Sequence, residues 1–439
     1  MINQAEKNLL LKIKNRKARI AIVGMGYVGL PLACEFSEKG FHIIGIDVDR
    51  NRVDSLLKGK SYIEDIPSAR LAKLVRAGLF KASSDYGCLE SEVDIVIICV
   101  PTPLSRSRDP DISYIVSAVE EIQKRIPSLQ LVILESTTYP GTTEEVILPA
   151  LERAGHKVGK DFFLCFSPER IDPGNKQFKP ADIPKVVGGV TPACTRLAAA
   201  LYGQVMPEIV KVSSPRTAEM TKILENTFRI VNIGLVNELA MAAESLQVNI
   251  WEAIDAAKTK PFGYMPFYPG PGIGGHCIGV DPIYLSWKAR MHGTDLQFIE
   301  LARKVNATMP HHVVSQAVYT LNQYRGKAIA RSKVLVLGIA YKRDVADTRE
   351  SPALDILEEL KKLGASVSYH DPYVPQIKQH ALSLKSQPLT AAILKKQDLV
   401  ILTTAHTCFD RKKIAANAGL IYDTRNFFKG FEATHIVRL

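Results

Sequence analysis

A thiol, an imidazole and a carboxylate lie close together in residues 267–285, FYPGPGIGGHCIGVDPIYL, which we call the reaction segment. Its glycines and prolines restrict the chain and let the backbone pass close to a ligand or take a positive φ. Cys277 lies between polar and small residues rather than inside an apolar strand, which suits a thiolate nucleophile with access to a substrate. The alternative is a buried cysteine in a structural turn.

Asp281 has two compatible interpretations. The pair Asp281-Pro282 predicts a helix N-cap followed by proline at the first helical position. A carboxylate fixed there would also lie only a few residues from the thiol, where it could orient a water or stabilise a protonated partner.

A long helix carries the next candidates. From Ser214-Pro215 the sequence predicts a helix of about 30 residues. Lys222, Asn226 and Arg229 are three to four residues apart and so share one face. A solvated face is the usual explanation, but an asparagine inside a helix indicates a ligand-facing position. A separate apolar stripe is typical of a domain linker or a dimer interface. The stripe comprises Met220, Leu224, Phe228, Val231, Leu235 and Leu239.

Residues 19–47 contain a glycine motif in the context that dinucleotide binding requires. A predicted strand precedes the motif, a helix follows it, and the next strand ends on Asp47, about 20 residues on. Asp47 would bind the adenosine ribose and repel a 2′-phosphate, which favours NAD over NADP. Arg52 weakens this preference slightly, unless it stacks near the adenine or faces solvent. The pyrophosphate contacts are predicted at Gly24, Gly26, Tyr27, Val28 and Gly29.

Three further apolar runs, VDIVIICV, LQLVILES and DFFLCFS, predict buried parallel strands. Ligands of such sheets lie at the carboxyl ends of the strands. Thr102 and Thr137 are therefore candidate contacts of the nicotinamide half, and Glu169 is a candidate for catalysis or substrate binding. The alternative is that these polar residues only form turns.

From about residue 326 a second α/β unit begins, without the glycine motif. Lys342 and Arg349 occupy its first turn, so a different phosphate-bearing ligand is expected there, held by side-chain charge. The predicted fold class is α/β, with two Rossmann-like doubly wound parallel-sheet domains joined by a long central helix. The predicted domains are an NAD-binding domain (1–211), a central helical domain with the reaction segment and the long helix (212–325), and a Rossmann-like domain for the phosphate-bearing ligand (326–439).

Composition excludes several classes of protein. The 439 residues are 46% hydrophobic and contain no run long enough for a membrane helix, and no signal peptide is recognisable, so the cytoplasm is expected. The net charge of +11 is spread along the chain, which favours anionic small ligands over nucleic acid. The seven cysteines form no disulfide framework. His311 and His312, after Pro310, predict a helix start, and no metal site is expected.

Five motifs, in order, resemble the UDP-glucose/GDP-mannose dehydrogenase family: GMGYVGLPLA, SPER, EMTKILENTFRIVNIGLVNELA, GGHCIGVD and GIAYKRDVADTRESPA. Within the family, PGNK (173–176) and KTKPFGYMPFYPGPGIGGHCIGVDP are most similar to the branch that acts on UDP-N-acetylhexosamines, especially UDP-N-acetylglucosamine. Val280 stands where the UDP-glucose branch usually has lysine.

The resemblance implies a two-step, four-electron oxidation of the sugar C6 alcohol to a carboxylate with two NAD, and a homodimer formed through the long helix. Cys277 would form a thiohemiacetal and then a thioester. Lys222, Asn226 and Asp281 would stabilise oxyanions and position water, and Glu169 would assist proton transfer to and from water. Arg349 is expected near the active site or cofactor. The implied substrate contacts are Glu169, Arg170, Lys222, Asn226, Arg229, Gly274, Gly275, Tyr341 and Lys342.

Other functions stay open at this point. Within the family, UDP-N-acetylmannosamine or UDP-glucose is the alternative substrate. A one-step alcohol or hydroxyacid dehydrogenase would share the first domain without needing Cys277. A non-catalytic sensor of NAD and nucleotide sugar would bind both ligands but form no NADH.

Overall fold

The computed structural model describes residues 3–63, 65–90, 93–105, 109–125, 130–153, 155–170, 182–379 and 382–439, without the side chains of His276 and Cys277. The chain forms two compact units. The first contains residues 1–225 and 283–292, and the second contains residues 226–282 and 293–439. In the part of the chain that is described, no helix has the length and apolar character needed to cross a membrane.

An eight-stranded sheet forms the centre of the first unit. Its strands are β1 Arg19–Val23, β2 His42–Ile46, β3 Phe80–Ser83, β4 Ile95–Ile98, β5 Leu131–Leu134, β6 Phe163–Phe166, β7 Lys185–Gly189 and β8 Ile209–Lys211. They lie in the order 3-2-1-4-5-6-7-8. The predicted doubly wound parallel sheet is confirmed, and β7 and β8 extend it at one edge, where β7 pairs antiparallel with β6. The apolar runs of β4, β5 and β6 are buried along their whole length, as strands covered on both faces are.

Helices cover this sheet. They are α1 Gln4–Lys14, α2 Gly29–Glu38, α3 Arg50–Leu57, α4 Ser68–Arg76, α5 Ser113–Gln123, α6 Leu148–Glu152 and α7 Pro192–Tyr202, with a 3₁₀ turn at Tyr86–Leu89 and a π-helical turn at Thr143–Ile147. The strand order reverses direction between β1 and β4, and in such sheets ligands bind outside the carboxyl ends of the strands at this point.

The predicted long helix is confirmed as α8, Pro215–Ser245, with 31 residues. The boundary between the two units falls inside it, between Glu225 and Asn226. The next helices are α9 Ile250–Ala257, α10 His276–Met291 and α11 Gln297–Arg325. The helix start predicted at His311 and His312 is wrong, because both residues lie inside α11, where His311 pairs with Glu359 and His312 with Glu244.

A five-stranded parallel sheet dominates the rest of the second unit. Its elements are β9 Lys333–Leu337, α12 Pro352–Lys362, β10 Ser366–His370, α13 Ala391–Lys395, β13 Leu399–Leu402, α14 Arg411–Asn417, β14 Ile421–Asp423 and β15 Ile436–Arg438, with a hairpin of β11 Gln376–Gln379 and β12 Leu382–Lys385. The order 10-9-13-14-15 is that of a second doubly wound sheet, which confirms the predicted second Rossmann-like fold. The three-domain division stays a prediction.

Residues 283–292, which contain the last part of α10 and the residue after it, belong to the first unit although they follow residue 282 of the second. The Tyr284 hydroxyl donates to the carbonyl of Pro103 (3.1 Å), and the ring of Trp287 lies 5.1 Å from that of Tyr139. Lys288 forms an ion pair with Glu145 (2.5 Å). A segment distant in sequence therefore completes the surface of the first unit.

Candidate active site

Three glycines shape the loop between β1 and α2. Gly24 has a φ of 95°, and a Cβ there would overlap the carbonyl of Cys99 after β4, so glycine is required. A Cβ on Gly29 would overlap the Gly24 carbonyl, so glycine lets α2 begin directly against the turn. At Gly26, by contrast, no described atom lies within 4 Å of the place that a Cβ would take. This open space lies at the amino end of α2, where a pyrophosphate can approach backbone N–H groups.

The two remaining loop candidates, Tyr27 and Val28, face different surroundings. Tyr27 is exposed, whereas Val28 packs against the core of the first unit. Val28 therefore anchors the loop, and its backbone rather than its side chain is available to a ligand.

Asp47 follows β2 and is buried beside the glycine loop. Its Oδ2 accepts a hydrogen bond from Met25 N (3.0 Å), and its Oδ1 accepts one from Asp49 N (2.9 Å). Arg52 pairs with both carboxylates, at 3.4 Å from Asp47 and 3.7 Å from Asp49, and its guanidinium lies over the ring of Tyr62. The carboxylate is thus fixed where the dinucleotide fold places its ribose ligand, and Arg52 neutralises part of its charge.

Thr102 and Thr137 follow the neighbouring parallel strands β4 and β5, so they lie at the same edge of the sheet. The Ser136 hydroxyl donates to the carbonyl of Val100 (2.8 Å) and ties the two strand ends together. Both threonines are half-buried, whereas Thr138 is fully buried in the turn. The structure therefore leaves the two candidate cofactor contacts accessible near the switch point of the sheet.

Glu169 follows β6 and contacts a buried ion pair. Its Oε1 accepts a hydrogen bond from Arg170 N (2.7 Å), and Lys185 Nζ lies 3.5 Å from its Oε2. Lys185 begins β7, is 4% exposed, and lies 3.1 Å from Glu135 Oε1 at the end of β5. Burial would lower the pKa of Lys185, but the charges of Glu135 and Glu169 outweigh it and raise the pKa above its usual range. Sequence reasoning missed Lys185 and Glu135; the available signal was a charge directly bordering a fully apolar run.

The Arg170 side chain is engaged by the protein. Its Nη2 lies 2.6 Å from Glu225 Oε1 on α8, and its Nη1 donates to the carbonyl of Pro184 (2.8 Å). These two contacts hold this predicted substrate contact beside Glu169, while its Nε is buried without a hydrogen-bond partner among the described residues.

The polar face of α8 is not a solvated one. Lys222 and Asn226 are buried, whereas Arg229 is exposed. Within the described ranges, no side chain or carbonyl accepts a hydrogen bond from the Lys222 ammonium. One turn earlier, Glu219 accepts hydrogen bonds from the backbone N–H groups of Gly141 (2.5 Å) and Thr143 (2.9 Å), which fixes the helix. A lysine whose side chain is buried in this way suits an anion or a developing oxyanion as the partner of its ammonium.

In the second unit, Asn226 Nδ2 donates to Asp281 Oδ2 (2.6 Å), and both side chains are buried. The predicted N-cap at Asp281 is wrong. Helix α10 begins at His276, directly after Gly275 with its φ of 82°, so Asp281 and Pro282 lie inside the helix. The carboxylate therefore holds the α8 amide instead of capping a helix.

Cys277 is the second residue of α10 by its backbone. Its side chain lies outside what the structure describes, and the same holds for the PGNK residues 173–176. The role of the thiol therefore stays a prediction from the sequence.

The glycines before Cys277 pack against Tyr341. A Cβ on Gly274 or Gly275 would overlap the Tyr341 side chain, and Gly275 N donates to the carbonyl of Arg349 (2.9 Å). The Arg349 guanidinium is exposed and forms a two-point pair with Asp347, with its Nη2 2.6 Å from Oδ2. The structure thus brings together Gly274, Gly275, Tyr341 and the backbone of Arg349, with partly exposed Lys342 in the same turn.

A second aspartate, Asp371, supports this turn as Asp47 supports the glycine loop. It follows β10, and its Oδ2 accepts hydrogen bonds from Ile339 N (2.7 Å) and Ala340 N (3.0 Å) after β9. His406, fully buried, lies 3.0 Å from the same oxygen. Burial would raise the pKa of Asp371, but these hydrogen bonds lower it below the usual range. The signal in the sequence was an acidic residue ending the second strand of a βαβ unit.

Arg425, another residue missed from the sequence, follows β14. Its Nε donates to the carbonyl of Thr403 (2.9 Å) after β13, and its guanidinium fills the space left by the missing side chain of Gly270. Burial, with the nearby charge of Arg343, lowers the pKa of Arg425 to about 10. Two like charges at the carboxyl edge of the second sheet suit a ligand with a diphosphate.

Within the described residues, no group of three or more His, Cys, Asp and Glu side chains is arranged to hold a metal ion. The candidate chemistry is therefore that of a dinucleotide site in the first unit, an amide–carboxylate pair on α8 and α10, and a cationic edge in the second unit.

Comparison with known proteins gives a consistent assignment over most of the chain. Residues 18–206 match the NAD binding domain of the UDP-glucose/GDP-mannose dehydrogenase family, residues 216–308 its central domain, and residues 335–430 its UDP binding domain.

Individual relatives differ in the sugar they are named for. UDP-N-acetyl-D-glucosamine 6-dehydrogenase of Pseudomonas aeruginosa is 34% identical, over 93% of this chain and 96% of the relative. UDP-N-acetyl-D-mannosamine dehydrogenase of Methanococcus aeolicus is 32% identical, over 89% of this chain and 85% of the relative. The solved structure of UDP-D-ManNAc dehydrogenase from Pyrococcus horikoshii superposes with a TM-score of 0.84 at 31% identity, covering 96% of this chain and 98% of that one. The chain therefore belongs to the UDP-glucose/GDP-mannose dehydrogenase family and is an NAD-dependent nucleotide-sugar 6-dehydrogenase.

Proposed function

We propose that the chain oxidises the C6 alcohol of UDP-N-acetylglucosamine to the carboxylate in two steps, giving UDP-N-acetylglucosaminuronate. The observation that carries the mechanism is the buried side chain of Lys222, four residues before the buried Asn226 on α8. Asn226 is in turn held by Asp281. A cation and an amide on one buried helix face are the groups that stabilise an oxygen on which negative charge develops.

The NAD site proposed for the first unit consists of Gly24, Gly26, Tyr27, Val28, Gly29, Asp47, Arg52, Thr102 and Thr137, with Arg349 a further contact. The open space at Gly26 and the fixed carboxylate of Asp47 support this assignment. Hydride acceptance, once in each of two oxidations, is the chemistry that NAD supplies when bound. The chain's own residues would orient the cofactor, bind the acyl group covalently and transfer protons to and from the reacting atoms.

Cys277 is the proposed nucleophile. Its sulfur would bond to the aldehyde carbon after the first oxidation, with the thiol proton passing to the aldehyde oxygen, which gives a thiohemiacetal. The second oxidation converts this adduct to a thioester, and water then releases the carboxylate and restores the thiol. Lys222 and Asn226 would stabilise the C6 oxygen during these steps. Glu169 would take a proton from the attacking water, and Asp281 would hold Asn226 and orient that water.

The nucleotide-sugar would contact Glu169, Arg170, Lys222, Asn226, Arg229, Gly274, Gly275, Tyr341 and Lys342. We propose that residues 1–211 bind NAD, that residues 212–325 carry the reaction segment and the dimer interface, and that residues 326–439 bind the UDP-sugar. The cationic edge formed by Arg343 and Arg425 supports a diphosphate ligand in the last of these regions.

We also propose a homodimer formed through α8. Five of the six residues of its predicted apolar stripe are exposed, with Leu224 at 58%, Leu235 at 52% and Phe228 at 46%. A row of large exposed side chains along one helix is a recognised mark of a protein interface. We propose the cytoplasm as the location, because scattered cysteines are typical of a reducing compartment.

The relatives leave the sugar unresolved, since they include dehydrogenases named for N-acetylglucosamine and for N-acetylmannosamine. The test is NADH formed per UDP-N-acetylglucosamine consumed at excess NAD, beside UDP-N-acetylmannosamine and UDP-glucose. Two NADH per UDP-N-acetylglucosamine would support the proposal in full. Turnover only of the epimer would keep the mechanism and change the substrate, whereas one NADH per sugar would contradict the thioester route.

The Cys277→Ser variant completes the test. We expect it to bind NAD with wild-type affinity and to lose turnover. Unchanged turnover would favour a one-step dehydrogenase, and a wild-type protein that binds both ligands but never forms NADH would favour a sensor.

A further inference from the structure

A cluster of titratable groups lies behind Glu169, inside the first unit. Four of its members lie in or directly after strands of the sheet, and the fifth lies in helix α7, which covers the sheet. They are Cys99 after β4, Glu135 after β5, Cys165 in β6, Lys185 at the start of β7, and Tyr202 at the end of α7. The proposed mechanism uses none of these five residues, yet all are buried and two of them, Lys185 and Glu135, form an ion pair.

The geometry makes Lys185 a shared partner. Its ammonium lies 3.1 Å from Glu135 Oε1 and 3.5 Å from Glu169 Oε2. The Tyr202 hydroxyl donates to the same Glu135 oxygen, and the Tyr202 ring lies 5.0 Å from Lys185 Nζ. The other Glu135 oxygen, Oε2, is buried and has no hydrogen-bond partner among the described residues. The ammonium is thus fixed on one side by a carboxylate and an aromatic ring and faces Glu169 on the other.

The surrounding groups leave Lys185 as the cation of the cluster. Burial raises the pKa of the Cys99 and Cys165 thiols and of the Tyr202 hydroxyl well above their usual ranges, so all three are neutral. Burial also raises the pKa of Glu135, against the attraction of Lys185. Two carboxylates therefore compete for one ammonium, and Glu169 is the more exposed of the two, at 14%.

We propose that Lys185 is a positioning residue, whose ammonium holds the Glu169 carboxylate oriented for proton transfer while Glu135 and Tyr202 hold the ammonium. This inference rests on the proposed function, in which Glu169 acts on water. The step concerned is the release of the product. Water forms a bond to the acyl carbon, its proton passes to Glu169, and the bond from that carbon to the Cys277 sulfur breaks. Without Lys185, this step slows and acyl-enzyme accumulates.

The test combines steady-state turnover with intact-protein mass spectrometry of samples quenched during turnover of UDP-N-acetylglucosamine and NAD. Lys185→Met removes the ammonium from Glu169. Glu135→Gln removes the negative charge of the same buried ion pair but keeps the oxygen that accepts from Lys185, so the ammonium stays beside Glu169 and the variant is the matched control. Lys185→Arg keeps the positive charge. The double variant K185M/E135Q leaves neither charge unpaired, which protects the fold if K185M alone is unstable.

We expect kcat to fall about 10-fold or more in K185M and in K185M/E135Q, with a covalent adduct on the enzyme and a KM that falls together with kcat, because release of the acyl group becomes rate-limiting. E135Q should keep kcat within about threefold and show no adduct, and K185R should recover most of the lost turnover. Thermal unfolding measures the stability that each variant loses. A kcat that falls in proportion to this loss across K185M, E135Q and the double variant would show a purely structural role and overturn the proposal.

A folded double variant with wild-type kcat and no adduct would also overturn it. Glu169→Gln separates this inference from the function on which it rests. If E169Q is impaired and the Lys185 variants are not, only the role of Lys185 fails. If E169Q turns over like the wild type, the proposed role of Glu169 fails, and the role of Lys185 fails with it.

Discussion

Replacing Gly26 by alanine should separate cofactor binding from folding. The backbone at Gly26 is outside the left-handed region, and no described atom lies within 4 Å of the new Cβ. An alanine tolerated in this way restricts mainly the unfolded chain. We therefore expect the free energy of unfolding of G26A to stay unchanged or to rise by about 0.4–1 kcal/mol.

The cost should appear in NAD affinity. The new methyl group would occupy the space through which a pyrophosphate reaches the backbone N–H groups at the start of α2. A hydrogen bond to a charged group contributes about 1.5–3 kcal/mol. Because each 1.4 kcal/mol is about a tenfold change in an equilibrium constant, losing one such bond should raise the Kd of NAD roughly 10- to 150-fold.

Calorimetric titration with NAD and thermal unfolding without ligand measure the two effects separately. Titration with UDP is the control, because the proposed UDP site lies in another domain and its affinity should not change. G29A is the comparator that should lose stability, since its Cβ would overlap the Gly24 carbonyl. A stable G26A with wild-type NAD affinity would refute the argument that this space receives the pyrophosphate.

Three further predictions follow from the site and the helix. Lys222→Met should lower kcat by about 100-fold or more, because it removes the buried cation that faces the proposed oxyanion, while calorimetry should show unchanged NAD binding; normal turnover would exclude that role. Asp371→Asn should destabilise the protein at pH 7. Since the folded pKa of Asp371 lies below its unfolded value of 3.8, the wild type keeps this stability above pH 3.8 and loses it as the pH falls through the folded pKa. The stability difference between wild type and D371N in denaturant titrations should therefore shrink below pH 3.8, and a constant difference would contradict the assignment. If the proposed dimer forms through α8, Leu235→Glu should convert it to a monomer in light-scattering measurements, whereas Leu246→Glu, exposed but outside the stripe, should leave it intact.

The glycine loop and Asp47 could be predicted because their signals are local and independent. A strand, a Gly24-to-Gly29 motif, a helix and an acidic strand end agree with one another, and each reflects a backbone requirement that few other sequences meet. The same agreement of motifs along the chain made the family recognisable.

The faces of α8 show what periodicity leaves undetermined. A period of 3.6 groups the apolar stripe on one side of α8 and Lys222 with Asn226 on another, but it carries no information on which side is buried within one chain. The structure buries Lys222 and Asn226 and exposes Leu224 and Leu235, the reverse of an ordinary surface helix.

Two other features depend on structure far from the residues concerned. Asp281-Pro282 has the local pattern of an N-cap, yet α10 had already begun at His276. Glu135 and Lys185 are 50 residues apart and meet only because β5, β6 and β7 are neighbours in the sheet. A pattern along one sequence does not show which distant strands will be neighbours in the sheet.

The return of residues 283–292 to the first unit has a consequence for synthesis on the ribosome. After residue 225, the ribosome adds about 70 residues before it reaches the end of this segment at residue 292. At ordinary translation rates this takes roughly 4–14 s. Until then the nascent first unit lacks the contacts of Tyr284 and Trp287, and the ring of Tyr139 has no cover from α10. The two hydrophobic cores of the first unit contain no residue of this segment, so they can form first, and the surface around Tyr139 is completed only after residues 283–292 have left the ribosome.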